Sequence, residues 1–190
     1  MPTTLVRSAA QARELVAYNR AVFDRFLRRI ARLPGRAAFS EREIGHHSLF
    51  GTLVHVLNVH EAWLVYIVPG RTRELTRRFT EPDRHPSDWP GLRAYSRQVW
   101  EGIDGTVRTL ADADFGRTVR APWMPGLYTV GDAFLQTTME EAHHIGEVIG
   151  ALWQDDVAST RMTWIELNRG TVPRRRSPGA GRVSSPPRGR

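Results

Sequence analysis

The sequence predicts an all-α protein that folds as a four-helix bundle, and two observations lead to this prediction. Four segments carry apolar residues at three- and four-residue steps, which is the period of an amphipathic helix. The link between the second and third segments, residues 71–90, is long and rich in Arg, Pro and Asp. Four amphipathic helices connected in this way are expected to bury their apolar faces around one core.

The first two helices are predicted at about residues 8–33 and 48–68. Ser8 is a suitable N-cap for the first helix, and a Pro-Gly pair follows each helix. The second segment contains one formally charged residue, Glu61, so we expect it to be the most buried helix. One of its stripes can face either the core or a second copy of the chain, and it consists of Leu53, Leu57 and Leu64.

The third and fourth helices are predicted at about residues 88–110 and 130–155. Thr129 can cap the fourth helix, and Asp132 stands where a carboxylate complements the helix dipole. Between these helices, residues 111–128 indicate turns with two short strands. After residue 155, a short segment is expected to pack back onto the bundle through Trp164 and Ile165.

The positive charge belongs to the end of the chain rather than to the predicted bundle. The formal net charge is +7, but residues 169–190 contain seven arginines and no acidic residue. The first 168 residues therefore carry 20 basic and 20 acidic residues. We predict a bundle domain at 1–168 and a disordered tail rich in Arg, Pro, Gly and Ser at 169–190. The tail has no aromatic residue for stacking on bases, so no specific nucleic-acid partner is expected.

The absence of cysteine narrows the chemistry that the chain can perform. It excludes disulfides, thiolate nucleophiles and cysteine-ligated metal sites, so any metal must be bound by His, Asp or Glu. The first residues lack the apolar run of a signal peptide. No stretch has the roughly 18 uninterrupted apolar residues of a membrane span. We therefore expect a cytoplasmic protein without a membrane partner.

Glu140 and His144 are candidate metal ligands in the fourth helix. Because they are four residues apart, their side chains leave the same helix face about one turn apart. A divalent ion needs a third ligand from another element, and our candidate is His55, in the most apolar stretch of the chain. Glu147 is in phase with Glu140 and can support a ligand, act as a general base or face solvent.

Each of these residues also has a purely structural interpretation. His55 can be a hydrogen-bonded core histidine, and Glu140 with His144 can be an ion pair on a solvated helix face. His46 and His47 precede the second helix and can either approach the mouth of a pocket or remain ordinary loop residues. His60 and His143 lie on other helix faces than the candidate ligands.

Three segments resemble the DinB/YfiT-like family of metal-binding four-helix bundles. They are LVAYNRAVFDRFL in the first helix, TLVHVLNVHEAWL in the second and MEEAHHIGEVIGALWQ in the fourth. The resemblance implies one histidine ligand from the second helix and two ligands four apart from the last helix. Transferred to this sequence, those ligands are His55, Glu140 and His144.

The sequence departs from the commonest pattern of this family, which has a histidine where Glu140 stands here. A His-Glu-His set is similar to the mycothiol-dependent maleylpyruvate isomerase branch. The catalytic arginine of that branch belongs to a further C-terminal domain that we do not expect here. The resemblance therefore implies the type of metal site rather than the isomerase activity.

The resemblance leads to two functional hypotheses. The first is a metal-dependent transferase or hydrolase that acts on a small-molecule substrate, using zinc or alternatively nickel, iron or manganese, with a low-molecular-weight thiol as co-substrate. Three protein ligands would leave a coordination position open for water or substrate. The second is a non-catalytic, stress-associated binding bundle with a structural or vestigial metal site. Family analogy also implies a homodimer.

Overall fold

The computed structural model describes residues 4–81, 84–164 and 167, and it shows five α-helices within these ranges. They are α1 (Ala9–Ile30), α2 (Leu49–His60), α3 (Thr72–Thr80), α4 (Trp89–Thr109) and α5 (Val130–Gln154). A π-helical segment, Glu61–Ile67, continues α2, and a 3₁₀ helix, Asp112–Gly116, follows α4. A small antiparallel sheet pairs β1 (Thr118–Val119) with β2 (Tyr128–Thr129). The predicted all-α bundle and the two short strands are confirmed.

Polar side chains fix the beginnings of the bundle helices, as the sequence predicts for Ser8 and Thr129. The Ser8 hydroxyl accepts a hydrogen bond from the backbone of the first turn of α1, and the Ser48 hydroxyl does the same for α2. Thr129 and Asp132 form a reciprocal capping box at the start of α5. Each cap satisfies amide groups that a helix leaves without an intrahelical partner.

The core lies between α1, α4, α5 and the continuous rod formed by α2 and the π-helical segment. The stripe of Leu53, Leu57 and Leu64 is fully buried, so it serves the core rather than an interface between copies. α2 packs directly against α5. This contact brings the two helices that carry the predicted ligands face to face.

The predicted connection at 71–90 contains α3, which the apolar pattern does not reveal. Leu75 is the only buried residue of this helix, so the sequence has no apolar stripe there. The helix packs against the π-helical segment and places Phe79 beside the bundle. A single buried leucine is too weak a signal for a helix when polar and charged residues fill most other positions.

The π-helical segment is a second difference from the sequence prediction, which has one regular helix over 48–68. Backbone hydrogen bonds join residues five apart at its end, such as the Val68 amide to the Trp63 carbonyl at 2.9 Å. Buried Glu61 opens the segment, accepting hydrogen bonds from Tyr95 at 2.5 Å and from Arg78 at 3.1 Å. The widened turn places Trp63 on the wall of the large cavity described below.

The segment after α5 packs back onto α1, as predicted for Trp164. Its indole ring lies 4.9 Å from the Tyr18 ring, and the Tyr18 hydroxyl donates a hydrogen bond to the Met162 carbonyl at 2.7 Å. Ile165 and the predicted tail at 169–190 lie outside the described residues. Within the described part of the chain, no helix is both long enough and apolar enough to span a membrane.

Candidate metal centre

Three histidines from three elements meet at one end of the α2–α5 contact. The rings of His55 on α2 and His144 on α5 have centroids 4.6 Å apart, edge to face. His46, from the loop before α2, stacks on His55 with centroids 3.6 Å apart and lies 4.9 Å from His144. One ring nitrogen from each of the three lies within 4.8 Å of the other two. The fold therefore brings two of the three predicted ligands together and adds His46.

The loop that carries His46 is fixed against both helices. A Cβ atom on Gly51 would lie only 2.5 Å from the His46 carbonyl oxygen, so glycine permits the loop to lie close against α2. The Gly45 amide donates a hydrogen bond to Glu147 on α5 at 3.4 Å. These contacts hold His46 over the other two histidines.

Glu140 lies next to His144 on the wall of the same cavity. Its Oε2 atom is 3.5 Å from Nε2 of His144, and its Oε1 atom accepts a hydrogen bond from Gln136 at 2.8 Å. The side chain is about one-third exposed. The carboxylate is thus close enough to bind the same ion as His144. Glu140 is not part of the cluster formed by His46, His55 and His144, so its role as a ligand stays a prediction.

Glu147 contacts His144 from the other side. Its Oε2 atom lies 2.8 Å from Nδ1 of His144, which leaves Nε2 as the nitrogen facing Glu140. Burial raises the pKa of Glu147, but the hydrogen bonds with His144 and Gly45 outweigh this effect and lower the pKa below its usual value. A carboxylate in this position fixes the ring orientation and tautomer of a metal-ligating histidine.

The environment of His55 and His46 favours neutral imidazole. Burial, with added repulsion from His46 and His144, lowers the pKa of His55 to about 4. Burial and repulsion from His144 also lower the pKa of His46. Near neutral pH both rings therefore present nitrogen lone pairs, and metal ligation requires such deprotonated imidazoles. The residues present thus fit a divalent cation.

A second group of possible donors shares His144. It comprises His143, His144 and Glu147, whose donor atoms also lie within 4.8 Å of one another. His143 is about two-thirds exposed on the outer face of α5, and this group does not include His55. A metal ion held by this second group would depend on His143, whereas an ion held by the first group would not. Substitution of His143 therefore distinguishes the two groups.

A cavity of about 920 Å³ opens beside the histidines and extends along α2. His46, His55 and Glu140 line one end. The remaining wall is largely apolar and aromatic, formed by residues that include Phe50, Val59, Ala62, Trp63, Phe79, Trp123 and Met124. Its volume and lining are those of a small-molecule site with a few polar groups at defined positions.

Sequence reasoning missed one buried polar pair near this region. His60 and Glu141 are both almost completely buried, and their side chains meet at 2.7 Å. His60 lies about 140° around the helix from His55, and neither His60 nor Glu141 belongs to the cluster of metal-donor atoms. A matching pair of polar residues in two apolar helix faces is the signal that could have predicted this contact.

The fold and the site define a class of protein: a helical bundle with a histidine-rich candidate metal centre between its second helix and its last. The sequence profile of the DinB superfamily matches residues 11–148, and the chain belongs to this superfamily. No curated protein matches the chain significantly. The resemblance noted from the three sequence segments is thereby confirmed at the level of the superfamily.

Proposed function

We propose that the protein binds one divalent metal ion through His55, Glu140 and His144, with His46 as a fourth donor. The observation that carries this proposal is the convergence of three imidazoles from α2, α5 and the preceding loop at the end of a large cavity. Imidazole and carboxylate ligands suit zinc, nickel, iron and manganese, with zinc as the first choice.

The four donors have unequal freedom of movement. His55, Glu140 and His144 project from long helices, whereas His46 lies on a loop. Its displacement would require release of the Gly45–Glu147 contact but no break in a helix, so among the four we assign His46 as the donor that a water or substrate atom replaces. Glu147 would hold the His144 ring in place while such an exchange occurs.

The cavity supports a metal-dependent enzyme that transfers a small thiol or hydrolyses a small substrate. A divalent ion at this site would lower the pKa of a bound water or low-molecular-weight thiol and so supply a nucleophile near neutral pH. The apolar walls would exclude bulk water and hold the body of the substrate. The predicted homodimer is part of this proposal but is not needed for the site, whose donors all come from one chain.

One observation favours a second candidate, a non-catalytic binding bundle with a structural metal. If all four donors bind zinc at once, they complete its usual tetrahedral coordination and leave no position for substrate. The two candidates differ in whether the metal has an exchangeable ligand. Thiol-dependent changes in the spectrum of the cobalt-substituted protein would support the enzyme, and their absence would support the structural site.

Metal content tests the ligand assignment directly. We expect purified protein to contain close to one divalent ion per chain, measured by elemental analysis. His55→Ala and His144→Ala should lose most of this metal, because each removes a nitrogen donor from a helix. His143→Ala is the matched control and should retain it. Equal metal content in all variants, or loss only in His143→Ala, would refute the assignment.

Two further variants test the remaining donors. Glu140→Gln keeps the shape of the side chain but removes its charge, so it should weaken metal binding if Glu140 is a ligand. His46→Ala should weaken binding less than His55→Ala, because His46 is the donor on the loop. Unchanged affinity in Glu140→Gln would remove Glu140 from the ligand set and leave the three histidines.

A further inference from the structure

A second group of polar side chains lines the cavity around Asn58. Asn58 follows His55 by one turn of α2, so it lies about 5 Å further along the helix axis. Its side-chain amide nitrogen lies 3.3 Å from Nδ1 of His85, and its carbonyl oxygen lies 2.8 Å from the Tyr95 hydroxyl. Arg84 also lines the cavity here.

Contacts with Phe79 and His85 hold the guanidinium of Arg84 in place. Its Cζ atom lies 3.5 Å from the centroid of the Phe79 ring, and its Nε atom donates a hydrogen bond to Nε2 of His85 at 2.9 Å. Among the described residues, no carboxylate pairs with Arg84, and its Nη1 atom has no hydrogen-bond partner. Burial lowers the pKa of this guanidinium, since its charge is partly removed from water.

The nearest buried carboxylate does not satisfy this charge. Glu61 is already bound by the guanidinium of Arg78 at 3.1 Å and by the Tyr95 hydroxyl at 2.5 Å. It nevertheless contributes negative potential at Arg84, as does Glu81. Because Arg84 supplies a single positive charge and these two carboxylates oppose a further negative charge, the site favours a singly charged anion over a dianion such as a phosphate monoester.

Part of the cavity wall is aromatic. Trp63 is buried, and Trp123 stands edge to face with it at 5.9 Å while remaining about half exposed. A large exposed indole at a cavity rim offers apolar area to a bound molecule. One cavity is therefore lined by metal-ligating groups, by aromatic side chains and by a guanidinium that no carboxylate pairs with in the described part of the chain.

We propose that the substrate or thiol co-substrate of this site is a small monocarboxylate with an apolar or aromatic body, whose carboxylate is bound by Arg84 beside Asn58. This inference rests on the proposed function for the position of the reacting group, which would lie at the histidine end. Arginine binds carboxylates with paired, charge-assisted hydrogen bonds, which explains the choice of residue.

The test uses cobalt-loaded full-length protein and two matched thiols. The probes are para-mercaptomethylbenzoate and its amide, which differ in the charge of the group opposite the thiol. Thiolate-to-cobalt charge-transfer absorption reports binding of the sulfur. We expect the carboxylate probe to bind about tenfold or more tightly than the amide. A gain of this size is typical of one additional charge-assisted hydrogen bond.

Arg84→Met should remove this preference while changing the affinity for the amide by less than about twofold, because methionine preserves an apolar stem against Phe79. Arg77→Met, at an exposed position in the last turn of α3, is the matched control and should keep the preference. Equal binding of the two probes by the unmodified protein would overturn the inference, as would a preference that survives Arg84→Met.

A second measurement separates this inference from the metal proposal. Quenching of tryptophan fluorescence by para-toluate and para-toluamide, in the His144→Ala variant, needs neither thiol nor metal. A carboxylate preference that depends on Arg84 would support the anion site even if cobalt does not bind to the unmodified protein. If cobalt and thiols bind but para-toluate shows no advantage, the metal proposal stands and the anion site is rejected.

Discussion

At the residue scale, Glu147 connects the parts of the candidate metal centre. Its two carboxylate oxygens contact Nδ1 of His144 and the backbone amide of Gly45. One side chain on α5 therefore orients a helix-borne ligand and also ties down the loop that carries His46. Of the three roles that helical phase left open for Glu147, these contacts favour support of a ligand, which stays a prediction.

Glu147→Gln should weaken zinc binding by roughly 10- to 100-fold without changing its stoichiometry, because supporting carboxylates of metal-bound histidines typically contribute this much. Competition with a chromophoric chelator measures the affinity. Glu101→Gln, at an exposed position of α4, is the control and should have no effect. Complete loss of zinc would instead identify Glu147 as a direct ligand.

At the element scale, the start of α5 is held by close packing against the N-terminal segment. A Cβ atom on Gly131 would collide with the carbonyl oxygen of Val6 and the hydroxyl of Thr4. By contrast, a Cβ atom on Gly150, near the other end of α5, would meet nothing within 4 Å. The same substitution at the two ends of one helix should therefore have opposite effects.

Gly131→Ala should lower the free energy of unfolding by about 1–3 kcal/mol, because the extra methyl group forces the segment around Val6 away from the helix. Gly150→Ala should raise it by up to about 1 kcal/mol through helix propensity. Urea denaturation followed by circular dichroism measures both. A stabilised Gly131→Ala variant would mean that the N-terminal segment does not pack as described.

At the scale of the whole molecule, the buried His60–Glu141 pair links α2 and α5 inside the core. Burial raises the pKa of Glu141, and this effect is only partly offset by His60 and by the backbone of Phe23. The folded state therefore retains a proton on this carboxyl over a range of pH where the unfolded chain releases it. The difference makes the stability of the whole bundle depend on pH.

The sign of this dependence follows from the raised pKa of Glu141. The stabilising contribution is complete below the usual pKa of 4.5 and is lost as the pH rises through the folded-state value. Glu141→Gln should abolish this decline, because the amide does not titrate. The free energy of unfolding, measured by denaturant from mildly acidic to mildly alkaline pH, should fall more steeply in the unmodified protein. Parallel profiles would contradict the assignment.

Much of the fold and part of the candidate site could be predicted from local pattern. The caps at Ser8 and Thr129 depend on short-range hydrogen bonds, so sequence spacing determines them. Helical phase together with the family resemblance predicted that His55 and His144 lie close to each other, and the centroids of their rings are 4.6 Å apart. Helix α3 escaped prediction because one buried leucine does not create a periodic signal.

The sequence by itself determined the chemistry that this protein can use: no cysteine, and histidine and carboxylate donors at helical spacing. Only the tertiary structure decided which donors meet, because loop conformation and helix packing are not encoded in periodicity. It placed His46 on His55 and buried Glu141 against His60. It also left the guanidinium of Arg84 in the cavity without a described counter-ion. Each of these depends on contacts between elements distant in sequence.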